Sequence, residues 1–120
     1  MKETKSSNPE IIQLIRFLKK QSREKEVKIW RTVAKHLAKT KNQRAAVNLS
    51  RINRHTKERD VVLVPGKILG AGAIDHSITI AAFNASEKAR NKLERAKAKY
   101  LSIPDLVKTN PKGRKVKIIR

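Results

Sequence analysis

The chain has 120 residues, no cysteine, and 30 Lys and Arg against 10 Asp and Glu, a formal net charge of +20 at pH 7. That length suits one small domain and argues against separate catalytic and regulatory modules, and the lack of cysteine excludes a disulfide framework, a thiol nucleophile and any thiolate metal site. A surface kept soluble by charge accounts for about +2 to +8 in a small domain; an excess of +20, split as +11 over residues 1–60 and +9 over 61–120, points to a polyanionic partner for the whole fold, with nucleic acid ahead of a membrane surface.

Residues 1–8 carry no apolar segment behind their charges, so we expect a flexible N-terminus and no signal peptide. No run nears the roughly 18 apolar residues of a membrane span, and a soluble, cytoplasmic protein is expected. Asn8 and Pro9 suit the N-cap and first position of a helix. Ile11, Leu14, Ile15 and Leu18 follow with helical spacing, widened by Ile12 and Phe17, while Arg16, Lys19, Lys20 and Arg23 hold the wetter side. The charged stretch 23–26 reads as a break before a second helix with Val27, Trp30, Val33, Ala34 and Leu37 on its apolar face. Residues 9–40 thus predict an αα-hairpin. A helix-turn-helix DNA reader fits less well, because the connector lacks Gly and the second helix has few side chains that read base edges.

Between residues 39 and 59 the pattern turns basic and polar. Thr40–Arg44 reads as a loop, and Val47 and Leu49 alternate with Asn48, Ser50 and Ile52 as in an extended segment. Lys39, Lys41, Arg44, Arg51, Arg54, His55, Lys57 and Arg59 stand against one acid, Glu58, before Asp60, and Asn42 and Asn48 can hydrogen-bond phosphate or 2′-hydroxyl groups. A charge run is commonly a solvated face; with this charge balance, the segment 41–60 is the first candidate for nucleic-acid contact.

Val61–Val64 reads as a buried strand ended by a Pro65–Gly66 turn, after which residues 67–69 resume the extended chain as far as Gly70-Ala71-Gly72. Residues 77–83 predict a second strand, Ser86 caps a helix from Glu87 to about Lys99, and Ser102-Ile103-Pro104-Asp105 is a capping box before a short helix to Lys108. Residues 110–113 form a turn and residues 116–119 a closing strand, from which Lys115 and Lys117 project to one side.

The loop from Pro65 to Gly72 matches neither a phosphate-binding Walker motif nor the dinucleotide fingerprint; its glycines suit positive φ or close backbone approach to a phosphate or a neighbouring strand. His36, His55 and His76 lie far apart with no carboxylate set of metal-ligand spacing, and Ser50, Ser77 and Ser86 lack an elbow context. No cofactor, metal site or catalytic group is expected. The four aromatic residues, Phe17, Trp30, Phe83 and Tyr100, are dispersed, which favours a binder that tracks phosphates over one that stacks bases on aromatic platforms.

Val64-Pro65-Gly66-Lys67-Ile68-Leu69-Gly70 with Gly72, Ile80-Ala81-Ala82-Phe83 with Ser86, the ending Asn110-Pro111-Lys112-Gly113 with residues 116–120, and Asn48-Leu49-Ser50-Arg51-Ile52 upstream resemble, in order, the motifs of one ribosomal family. It is the archaeal and eukaryotic eighteen-e family of large-subunit ribosomal proteins, kin of bacterial large-subunit protein fifteen, and the compact chain looks like the archaeal form. The resemblance implies a structural, non-catalytic role bound to large-subunit ribosomal RNA among neighbouring ribosomal proteins, with no membrane and no small-molecule substrate. It also implies a single α/β domain over 9–120, built of irregular strand-strand-helix layers: the N-terminal helical hairpin, the basic segment 41–60 and an α/β core over 61–120. Two departures stand out: Ala96-Lys97-Ala98-Lys99 replaces a common Gly-Gly pair after the third helix, and Ala73 replaces an acid. The expected RNA contacts are the basic and amide residues named over 39–59 together with Lys67, Lys112, Arg114, Lys115 and Lys117. An architectural DNA-binding protein is the alternative, for which the sequence offers no convincing apolar wedge.

Overall fold

The computed structural model describes residues 8–40 and 42–120. The flexible tail expected over 1–8 falls, apart from Asn8, outside the described residues, as does the expected contact at Lys41. Five strands, β1 (Ala45–Asn48), β2 (Val61–Leu69), β3 (Thr79–Ala85), β4 (Lys99–Ser102) and β5 (Val116–Ile118), form one parallel sheet in the order β1-β2-β3-β4. β5 also pairs with β2, opposite Val61–Leu63, whereas β1 pairs with Gly66–Leu69. The edge of β2 away from β3 is therefore shared end to end by two short strands.

Helices cover both faces. Val62, Val64, Ile80 and Ala82 point into a core with α3 (Leu49–Arg54) and α4 (Glu87–Arg95), while Leu63 and Ala81 point into a second core with α1 (Pro9–Lys25), α2 (Ile29–Leu37) and α5 (Ile103–Thr109). A strand buried on both faces needs apolar residues at consecutive positions, which accounts for the unbroken Val61–Val64 run. The α/β architecture agrees with the sequence reading.

The capping residues act as expected. Asn8 Oδ1 accepts from Glu10 N–H at 2.9 Å, Ser86 Oγ from Ala89 N–H at 3.1 Å, and Ser102 Oγ from Asp105 N–H at 3.2 Å. α1 runs through the supposed break to Lys25, and the chain reverses at Glu26, in the left-handed region with φ 55°. Ser22 Oγ donates to the Val27 carbonyl and holds the hairpin corner. Trp30 is fully buried, and its indole N–H donates to the Pro111 carbonyl at 2.8 Å, fastening α2 to the turn before β5.

Three elements differ from expectation. Residues 47–52 are not one extended segment: β1 ends at Asn48, and Leu49 and Ile52 are buried from one side of the helix α3. Pro65–Gly66 does not end a strand. β2 continues through it, with Val64 opposite Ala82 and Lys67 opposite Asn84, so Pro65 and Gly66 form a bulge against Phe83. The helix after Ser86 stops at Arg95, and the residues beyond it form β4. It stops with Lys97 at φ 59°, Lys97 N–H on the Glu94 carbonyl and Ala98 N–H on the Leu93 carbonyl, each at 3.0 Å. That is the paired closure usual at a helix C-terminus, with a lysine in the left-handed seat that glycine commonly fills.

Gly66 is required by packing: a Cβ there would lie 2.1 Å from the Ala45 carbonyl oxygen. Overpacking of this kind typically costs about 1–3 kcal/mol. Gly66→Ala is expected to lose at least that much stability in a urea titration; an unchanged midpoint would show that β1 does not press on this strand as described.

Candidate nucleic-acid interface

Between β1 and β5 the edge of β2 is unpaired at the buried Pro65, and over it the surface sinks into a cleft of about 830 Å³. α2 brings His36, with Lys39 just beyond its end, α3 contributes Arg51 with His55 beyond its end, and the C-terminus adds Lys117, Ile118, Ile119 and Arg120. Gln43, Ala45 and Pro65 complete the lining, which contains no Asp or Glu side chain. The placement follows from the core: burial of Leu49 and Ile52 turns Arg51 and Arg54 outward, and burial of Ile119 leaves Arg120 exposed.

Lys39, Arg51, His55 and Lys117 of the expected contact residues thus meet in one place, joined by His36 and Arg120. Asn42, Arg54, Lys57, Arg59, Lys67, Arg114 and Lys115 have exposed side chains. Several of the expected contact residues also make contacts within the fold. Arg44 Nε donates to the Lys39 carbonyl at 3.1 Å and closes the 40–44 loop, and Asn48 Oδ1 accepts from Ala71 N–H at 3.2 Å. Lys112 Nζ lies 3.2 Å from the Lys25 carbonyl at the end of α1. Lys117 Nζ pairs with Asp60 Oδ2 at 2.8 Å. Lys57 and Arg59 use backbone amides locally, on Asp60 Oδ2 at 2.8 Å and the Ser77 carbonyl at 2.7 Å, leaving their side chains outside.

The carbonyls of the glycine loop are tied to neighbouring protein. Lys92 Nζ donates to the carbonyls of Gly70 at 2.7 Å and Gly72 at 2.6 Å, and the Ala71 carbonyl accepts from Ser50 N–H at 3.1 Å. Gly72, at φ 85°, lies so close to Ser50 that a Cβ would come within 2.8 Å of the Ser50 amide nitrogen. Gly72 thus takes the positive φ expected of it and packs closely against neighbouring protein. Lys92 is missed from sequence because its partners lie 20 and 22 residues away.

Asp75 and His76 are joined by a third group. His76 Nδ1 is 2.8 Å from Asp75 Oδ1, and its Nε2 is 2.7 Å from Thr56 Oγ1. Thr56 is buried and donates to the Ile52 carbonyl at 2.8 Å, so its hydroxyl is a fastening for the 70–78 loop rather than an accessible nucleophile. The hydrogen bond from His76, with help from Asn53, holds the Asp75 carboxyl below the usual carboxylate range. The Lys117 ammonium and then the Lys57 amide do the same for Asp60. No group of three or more His, Asp or Glu with metal-binding geometry occurs among the described residues, and none of their helices is long and apolar enough to cross a membrane.

His36 forms part of the cleft wall. Its Nδ1 is buried with no hydrogen-bond partner among the described residues. Burial pushes its pKa below 6.5, followed by the positive charges of Arg120, Lys39 and Lys35.

The whole chain, residues 1–120, matches the family model described as ribosomal protein 60S L18 and 50S L18e. It is 44% identical over 119 residues to the large ribosomal subunit protein eL18 of Methanococcus maripaludis, covering 99% of each chain. It is also 46% identical over 114 residues to that of Methanoregula boonei, covering 95% of this chain and 94% of the relative. The counterpart from Methanothermobacter thermautotrophicus is 45% identical over 113 residues, covering 94% and 93% respectively.

The folded state prefers neutral His36 while the unfolded chain takes up its proton near 6.5. Stability contributed by this residue is therefore intact above that pH and declines as pH falls from there toward the lower folded value. An NMR titration of the imidazole should give a midpoint below 6.5, and His36→Gln should flatten the loss of stability as the pH falls below that value. A midpoint at or above that of a free histidine would contradict the packing described for α2 and the C-terminus.

Proposed function

The chain belongs to the family of ribosomal proteins 60S L18 and 50S L18e, and from that premise we propose that it is a structural constituent of the large ribosomal subunit that binds and stabilises folded ribosomal RNA through phosphate and sugar contacts. The observation that carries this reading is the cleft: Lys39 just after α2, Arg51 from α3, and Lys117 and Arg120 near the end of the chain converge there with no Asp or Glu side chain in the lining. Arg51, Arg54, Arg59, Lys67, Arg114, Lys115 and Arg120 are exposed and form no ion pair among the described residues. A charge of this size opposes its own compact state until a polyanion offsets it. Phosphate contacts fix position and register without needing base-edge readers, in keeping with a surface rich in Lys and Arg. Neighbouring ribosomal proteins would take up surface that the RNA leaves open. Architectural DNA binding calls for exposed apolar wedges, yet among the described residues the exposed apolar side chains are Pro9 and the alanines Ala46, Ala71 and Ala73.

Each neutralised phosphate contributes about −0.7 to −0.9 to the slope of log K against log salt, so about ten contacts predict a slope near −7 to −9. Binding of large-subunit RNA fragments across a salt series measures it, and a nearly flat dependence would refute the reading. Arg51→Glu should weaken binding about tenfold and make the slope shallower. Its melting temperature should hold, because the side chain is exposed. Unchanged affinity would remove Arg51 from the interface.

A further inference from the structure

We propose that the cleft between β1 and β5 seats a single unstacked nucleotide of the RNA, with its base inside and its phosphate at the rim. The inference rests on the RNA-binding reading and goes beyond it, because phosphate tracking asks only for exposed cations on a convex or flat surface. Here the surface is concave. Its volume of about 830 Å³ lies within the range of sites that enclose whole small molecules, far more than one phosphate group fills.

The walls are of two kinds. The half-buried Ile118 supplies apolar surface over a floor at the buried Pro65, which has no amide hydrogen and stands where β2 pairs with neither β1 nor β5. Arg51 and His55 supply flat, delocalised side chains against which a base can stack, and Arg120 adds a cation for the flanking phosphate. The four aromatic side chains take no part in the lining, so the seat is built from guanidinium, imidazole and aliphatic surface. An A-form duplex keeps its bases stacked inside; a nucleotide splayed from a bulge or internal loop presents a free base with a phosphate on each side. Only the second has the shape and charge pattern to enter.

The test uses the whole protein and three hairpin RNAs with the same stem: one fully paired, one with a single bulged uridine, and one with an abasic residue at the bulge. Fluorescence anisotropy should show the uridine bulge bound about tenfold more tightly than the paired hairpin, with the abasic RNA falling back to the paired value. Equal affinity for all three would overturn the nucleotide seat and leave RNA binding standing, whereas failure of all three to bind would overturn both. An abasic bulge bound as well as the uridine bulge would also overturn it, since the backbone distortion alone would then be recognised. Placing 4-thiouridine at the bulge locates the contact: crosslinks should fall on Arg51, His55 or Ile118, and crosslinks confined to α1 or α4 would overturn the assignment.

Discussion

The divided edge of β2 is the constraint on which the rest of the molecule depends. This strand is hydrogen-bonded along one side to β3 and along the other to two strands placed end to end, β5 at Val61–Leu63 and β1 at Gly66–Leu69. The Pro65–Gly66 bulge makes the division workable: Pro65 offers no amide to leave unpaired, and Gly66 lets the Ala45 carbonyl approach where a methyl group would clash. With β2 held on both sides, Val62 and Val64 face one core and Leu63 the other, and both helix layers acquire a surface to bury against. The join between β5 and β1 is also where the cleft opens, so the device that completes the sheet creates the candidate interface.

Charge is distributed on this frame in two ways. Some cations hold the fold: Lys92 binds the carbonyls of Gly70 and Gly72, Lys112 reaches the end of α1, Arg44 closes its own loop and Lys117 meets Asp60. Others, among them Arg51, Arg54, Arg59 and Arg120, remain exposed and form no ion pair among the described residues. Lys92, Lys112 and Arg44 of the first group supply donors to backbone carbonyls. The second group leaves most of the positive excess facing outward, the arrangement a polyanion-binding surface needs.

How far this was legible in the sequence depends on range. Capping residues and helical stripes act over three or four positions, and Asn8, Ser86, Ser102 and the stripe Ile11, Ile15, Leu18 all read correctly. The Val61–Val64 run likewise betrayed a strand covered on both faces. Pro65–Gly66 misled because the pair has the local chemistry of a turn, while its role here is set by Ala45, far away in the chain. Leu49 and Ile52, three apart, fit a helix as well as they fit loose alternation, and α3 is only 6 residues long. β4 was hidden because its residues are half-buried or exposed rather than alternately buried. In the basic segment, residue type named the cations but could not separate Arg51, which lines the cleft, from Arg44, which braces a loop; nor could it show that His36 and Arg120 join them.

The central claim is that the outward-facing cations of this chain are neutralised by RNA in the assembled large subunit. Lysine acylation footprinting, comparing the free chain with intact large subunits, tests it most directly. Lys39, Lys57 and Lys67 should react readily in the free chain and become strongly protected in the subunit. Reactivity that stays the same in both would mean that these ammonium groups face water rather than phosphate, and the account would be wrong.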